Sequence, residues 1–238
     1  MKTEQLQGLW RRDWLRTDDY EDNTTRVYWA QCGNLFVDVR IPLKRADVKN
    51  KNCLAQLDTN SLEILMRSEG FAGTTTLADD ICTWHRQINW QGKTDSIDAG
   101  HLWFDQLAEV LIEDGVHAHY REQWRKVSTP EFSAQTFQVE EMSGILLSSS
   151  AMFVLGIGNK NISGPATNKE QINPVLPTEA STHFASEYCI GLWDGDLGVV
   201  ELSTNPFREG HAVLDQSDDG ILWRQQTFDG AEKQHRIV

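Results

Sequence analysis

Apolar and polar residues alternate with a period of two along most of this chain, and that alternation limits the fold more than any other feature. Leu35, Val37, Val39 and Ile41 interleave with Phe36, Asp38 and Arg40. Cys82, Trp84, Arg86, Ile88 and Trp90 interleave with Thr83, His85, Gln87, Asn89 and Gln91. Val116, Ala118, Tyr120, Glu122 and Trp124 interleave with His117, His119, Arg121 and Arg125. Successive strand side chains point to opposite faces, so each run predicts an antiparallel strand with one buried face. Turn residues separate the runs, at Gly33-Asn34, Asp79-Asp80, Asp114-Gly115, Asp194-Gly195-Asp196, Asp218-Asp219-Gly220 and Asp229-Gly230. One helix interrupts them. Asn60 and Glu63 have capping-box spacing, Leu62, Leu65 and Met66 form an apolar stripe, and Gly70 reads as the stop. A second, short helix is expected over 169–172, limited by Pro174 and Pro177.

The chain repeats itself in order. Leu35-Phe36-Val37 has a counterpart in Met152-Phe153-Val154, and Phe71-Ala72-Gly73 in Phe184-Ala185-Ser186. Gly100-His101-Leu102-Trp103-Phe104-Asp105-Gln106 recurs as Gly210-His211-Ala212-Val213-Leu214-Asp215-Gln216, with four identities at fixed spacing. Glu113-Asp114-Gly115 recurs as Asp218-Asp219-Gly220. Collinear matches predict an internal duplication into two β-rich units, 1–127 and 128–238. The fold class expected is all-β with a minor helix, as two antiparallel barrels in tandem, since closure removes exposed strand edges.

Charge and motif content exclude several functions. The 238 residues carry a formal net charge of −13. That acidic balance argues against nucleic acid and an anionic membrane as partners, since phosphate contacts need clustered Lys/Arg. No apolar run is long enough to span a bilayer, and the start lacks a signal-peptide core. Cys32, Cys53, Cys82 and Cys189 form no CxxC pair, which suggests reduced thiols and a cytoplasmic protein. There is no GxSxG, P-loop or dinucleotide fingerprint, so no cofactor is expected. His117 and His119 fall on the outer side of their run and are expected in solvent, so no metal site is expected. The acidic stretch 18–23 lacks the glycine and spacing of a calcium loop.

Gly8-Leu9-Trp10 places a GxW at the head of the first expected strand. With the meander pattern and single short helix, it resembles the calycin superfamily, the lipocalins and fatty-acid-binding proteins, and in particular an uncharacterised family with two such barrels in one chain. The resemblance implies that Gly8 and Trp10 are structural, with the indole packed at the closed end against a late-strand Arg, Arg125 or Arg86. It also implies a small hydrophobic ligand. Gly191-Leu192-Trp193 repeats the motif, but in the middle of the second half.

The halves differ in chemistry. Seven of the nine Trp fall in 1–127, and the net charge is −4 there against −9 in 128–238. Aromatic and cationic material for a cavity is therefore concentrated in the first half. Arg86 lies on the same face as Trp84 and Trp90. Glu122 shares a face with Tyr120 and Trp124, and Arg12 with Trp10 and Trp14. A polar group facing inward must be paired, hydrated or bound to ligand. Arg86, Tyr120, Glu122 and Arg12 are thus candidate ligand-binding residues among Trp84, Trp90 and Trp124, where an Arg would meet the carboxylate of an acidic hydrophobic ligand. Alternatively, an Arg86–Glu122 ion pair fills the barrel with no ligand, as side chains fill many small barrels. Two other functions remain open. One is an isomerase, cyclase or hydrolase with Glu122 and Tyr120 as acid and base. The other is a protein–protein interaction module, using the acidic second half or the Pro/Asn/Gly-rich stretch 158–177.

Overall fold

The structure, a computed structural model, describes residues 1–106, 109–128, 130–160 and 177–237. The expected helix over 169–172 and most of the stretch 158–177 lie outside the described residues. Two antiparallel sheets follow one another along the chain. The first contains β1 (Gly8–Arg16), β2 (Glu21–Asp22), β3 (Arg26–Cys32), β4 (Leu35–Ile41), β5 (Glu69–Ala78), β6 (Ile81–Asn89), β7 (Asp98–Phe104), β8 (Val110–Gly115) and β9 (Arg121–Ser128). β1 pairs with β3 on one side and β9 on the other, so the meander closes into a barrel. The second contains β10 (Ser133–Val139), β11 (Met142–Ser148), β12 (Met152–Gly158), β13 (Glu187–Asp194), β14 (Leu197–Ser203), β15 (Ala212–Ser217), β16 (Gly220–Gln226) and β17 (Glu232–Arg236), paired in sequence order.

Among the described residues, three short α-helices accompany the sheets: α1 (Thr3–Leu6), α2 (Thr59–Met66) and α3 (Pro177–His183). α2 begins two residues earlier than the capping-box spacing suggests. Asp58, not Asn60, caps it, its carboxylate accepting from the Ser61 backbone N–H at 2.7 Å. Gly70 does not end α2, because it lies within β5. A Cβ there would sit 2.3 Å from the Tyr188 ring of β13, so glycine admits a close approach between the sheets.

That approach belongs to the largest apolar core. Leu9, Val37, Val39, Ile41, Ala72, Ile88 and Trp90 from the first barrel pack with Ile145, Leu147, Val154, Tyr188, Ile190 and Leu202 from the second sheet. Leu62, Leu65 and Met66 of α2 join them, as do Ala180 and Phe184 at α3. The aliphatic face of β4 is therefore an outer face of the barrel, covered by the neighbouring sheet. Its alternate face, Phe36, Asp38 and Arg40, points into the barrel. Each unit also has its own interior, Trp10, Trp29, Phe36, Phe71, Trp84 and Trp124 in the first, and Phe153, Leu155, Val213 and Trp223 among others in the second.

Two β-bulges reassign faces that plain alternation places together. In β6, Ala72 pairs with Ile88 and Gly73 with Arg86, leaving Gln87 as the extra residue. Cys82 and Trp84 therefore pack inside the barrel, while Ile88 and Trp90 turn outward into the inter-sheet core. In β1 the register to β9 shifts between Arg12 and Trp14, so Leu15 rather than Trp14 continues the inner face. The run 116–124 is not one strand. Residues 116–120 connect β8 to β9, with Val116, His117, Ala118 and His119 exposed.

Trp10 is 1% exposed, donates its indole N–H to the Leu6 carbonyl at 2.8 Å and stacks on Trp29. The late-strand cation over its ring is Lys126, at 4.6 Å. Arg125 instead binds Asp13, and Arg86 binds Asp98. Trp193, of the second GxW, lies against Phe153 and donates to the Ser148 hydroxyl. All four cysteines are free thiols. Among the described residues no helix is long and apolar enough to cross a membrane.

The Gly70 contact yields a direct test. Gly70→Ala forces a methyl into the buried Tyr188 ring, and overpacking of this kind costs about 1–3 kcal/mol. The urea midpoint should fall accordingly with the m-value unchanged.

Candidate functional site

The first barrel contains a cavity of about 130 Å³ lined by Trp29, Phe71, Trp84 and Trp124, by Asp38, Arg40, Arg86, Asp98, Glu113 and Glu122, and by Leu15 and Tyr120. Its floor is deeply buried, since Glu113, Glu122, Trp29 and Trp124 are each under 5% exposed. Arg40, Arg86 and Asp98, each about one-fifth exposed, stand nearer the rim.

The charges are arranged as linked pairs. Arg12 of β1 donates to Glu122 of β9 at 2.7 Å and to Asp22 of β2 at 2.6 Å, across the seam that closes the barrel. Burial raises the Asp22 carboxyl, but hydrogen bonds from Thr25 and Thr24 and the Arg12 charge overcome it and hold the group down at about 2. Arg40 binds Asp38 at 2.8 Å and stands 3.7 Å from Glu122. Arg86 donates from both Nε and Nη2 to Asp98 and covers the Phe71 ring at 3.6 Å. The Arg86–Glu122 pair expected from strand faces is not made, because each partner is held by a different residue.

Glu113 is the exception. Its Oε1 accepts from the Tyr120 hydroxyl at 2.7 Å and its Oε2 from the Trp124 indole N–H at 3.0 Å. No Lys or Arg forms an ion pair with it among the described residues. It lies directly opposite Glu122 in the β8–β9 register, an arrangement that penalises two charges. Burial first, and Glu122 second, push the Glu113 carboxyl up to about 8. Gly100 of β7 provides its space, since a Cβ there would sit 2.5 Å from the Glu113 side chain.

The structure brings Arg86, Tyr120, Glu122, Trp84 and Trp124 to one cavity, with Arg12 bound to its floor through Glu122. Trp90 is elsewhere. It packs edge-on against His183 at 4.1 Å in the inter-sheet core, where burial pushes the His183 imidazole down to about 4. Tyr120 pairs with Glu113 rather than Glu122. Sequence reasoning missed Asp38, Arg40, Asp98 and Glu113. The signal for Asp38 and Arg40 was their alternation with the aliphatics of β4. For Glu113 it was Leu111 and Glu113 sharing one face of a short strand.

No family model matches the chain, and no curated protein does. A solved structure of an uncharacterised protein from Saccharomyces cerevisiae superposes with a TM-score of 0.46 at 12% identity, covering 82% of this chain and 84% of that one.

Glu113 makes stability depend on pH in a defined direction. Its folded value, about 8, lies above the ordinary carboxylate value of 4.5, so the folded state binds the extra proton between them. The stabilisation is full below about 4.5 and is lost as pH rises through 8. Glu113→Gln, a neutral mimic of the protonated acid, should therefore gain stability relative to the parent as pH rises from 5 to 9. Urea unfolding across that range measures the difference, and a pH-independent difference would contradict the assignment.

Proposed function

We propose that this chain is a small-molecule-binding protein and that the cavity of its first, calycin-like barrel is the binding site. One observation carries the reading: five aromatic rings face buried and partly buried polar groups around a cavity inside a closed sheet. Aromatic walls with a few fixed polar groups are the usual composition of ligand sites. The GxW-headed first strand, with Trp10 buried beneath the barrel, supports the calycin-like assignment. The cavity falls below the roughly 300–1,000 Å³ of drug-sized sites, and its walls carry six ionisable acid and guanidinium side chains. A compact molecule with a charged or hydrogen-bonding group suits it better than a long acyl chain.

A screen of compact amines, alcohols, carboxylic acids and fatty acids tests this. At least one compact compound should raise the Tm by mass action and perturb Trp fluorescence, since three indoles line the cavity. Leu15→Phe, which narrows it, should weaken that binding at least tenfold by calorimetry. The reading fails if only fatty acids bind, if nothing binds, or if Leu15→Phe binds as the parent does.

A further inference from the structure

Building on the reading of the cavity as a binding site, we propose that its ligand is a small organic cation, an ammonium group seated against Glu113 and Glu122 between the indoles of Trp84 and Trp124. Charge balance carries the inference first. The lining and its immediate partners contain five carboxyl groups, Asp22, Asp38, Asp98, Glu113 and Glu122, against three guanidiniums, Arg12, Arg40 and Arg86, so even with Glu113 protonated four carboxylates outnumber three guanidiniums. Every one of those guanidiniums is already bound to a carboxylate. A ligand carboxylate would enter a space with excess negative charge, whereas a cation would neutralise it.

The second sheet supplies an internal contrast. Glu187 there accepts from the Trp223 indole N–H at 3.1 Å, much as Glu113 accepts from Trp124. Its other oxygen takes the Arg208 Nε at 3.2 Å, so that buried carboxylate has its cation within the protein. The other oxygen of Glu113 takes the neutral Tyr120 hydroxyl instead, so this buried carboxyl has no cation of its own among the described residues and lines the cavity.

The walls also suit a cation. Indole faces attract ammonium groups by their quadrupole, and the cavity already holds two guanidiniums, Arg86 and Arg40, over the Phe71 ring. A metal ion fits less well, because among the described residues no three His, Cys, Asp or Glu groups converge to hold one. The volume of about 130 Å³ accommodates a compact head group and little more.

The groups facing Glu113 are Glu122 of β9, Tyr120 of the β8–β9 connection, Asp98 of β7, Arg40 of β4 and Cys82 of β6. A bound ammonium adds a positive charge to that set, so Glu113 releases its proton when the cation enters. Binding near neutral pH is then coupled to release of up to one proton, and affinity rises with pH until Glu113 is ionised in the free protein.

The experiment compares three molecules of one shape: choline, its uncharged carbon isostere 3,3-dimethylbutan-1-ol, and the anion 3,3-dimethylbutanoate. Calorimetry is run on the full chain in buffers of different ionisation enthalpy. Choline should bind at least tenfold more tightly than either isostere, release protons at pH 7, and gain affinity from pH 6 to 9. Glu113→Gln should lose that preference and the proton release, and Glu113→Asp should retain the preference, with near-UV circular dichroism verifying the fold of both. Tighter binding of the neutral or anionic isostere overturns the cation assignment while leaving the cavity a binding site. So does absence of choline binding when other compact molecules bind. If no compact molecule of any class binds, both readings fall together.

Discussion

The packing of the first barrel's aliphatic outer face onto the second sheet is the contact on which the rest of the molecule depends. Val37, Val39 and Ile41 of β4 meet Leu147, Val154 and Ile190 in a single apolar core, with Gly70 letting Tyr188 come in close. Burial of apolar area is the main favourable term in folding, and this core draws on both halves. Strands buried on both faces must still place their alternate residues somewhere. In β4 those residues are Phe36, Asp38 and Arg40, and the barrel interior receives them.

The character of the site follows. A barrel interior filled only with aliphatic side chains would be dry. Here Asp38 and Arg40 enter with Arg86, Asp98, Glu113 and Glu122, and buried charges must be paired or neutralised. Arg12 binds Glu122 and Asp22 across the closing seam, so the ion network also ties the barrel shut. Glu113, opposite Glu122, is left without a cation and keeps its proton instead. The same residues thus close the barrel, shape its cavity and leave one buried acid without an ionic partner among the described residues.

The strand content and the tandem arrangement were legible because alternation is a local signal, written in the runs around Val37, Trp84 and Trp124. Which face turns inward was less legible. Alternation identifies two faces, but it labels the apolar one as interior only when the other meets solvent. On β4 both are covered, so Asp38 and Arg40 read as surface while lining the cavity. Bulges are equally hidden. Nothing in the residues around Gln87 or Asp13 announces an extra residue, yet each moves later side chains to the opposite face. That is why Trp90 was grouped with Trp84, and Trp14 with Trp10. Arg12, Glu122 and Tyr120 were found because an isolated polar residue in an otherwise apolar face stands out. Their partners Asp22 and Glu113 lie on neighbouring strands, beyond the reach of any single-strand pattern.

If the shared core governs the architecture, the two sheets cannot unfold independently. Most of the tryptophans, seven of nine, lie in residues 1–127, so intrinsic fluorescence reports chiefly on the first barrel, whereas far-UV circular dichroism reports on both sheets. Equilibrium urea unfolding followed by both probes should give one coincident transition, as a single cooperative unit requires. Two separated transitions, with the fluorescence change complete while half of the circular dichroism signal persists, would contradict the account.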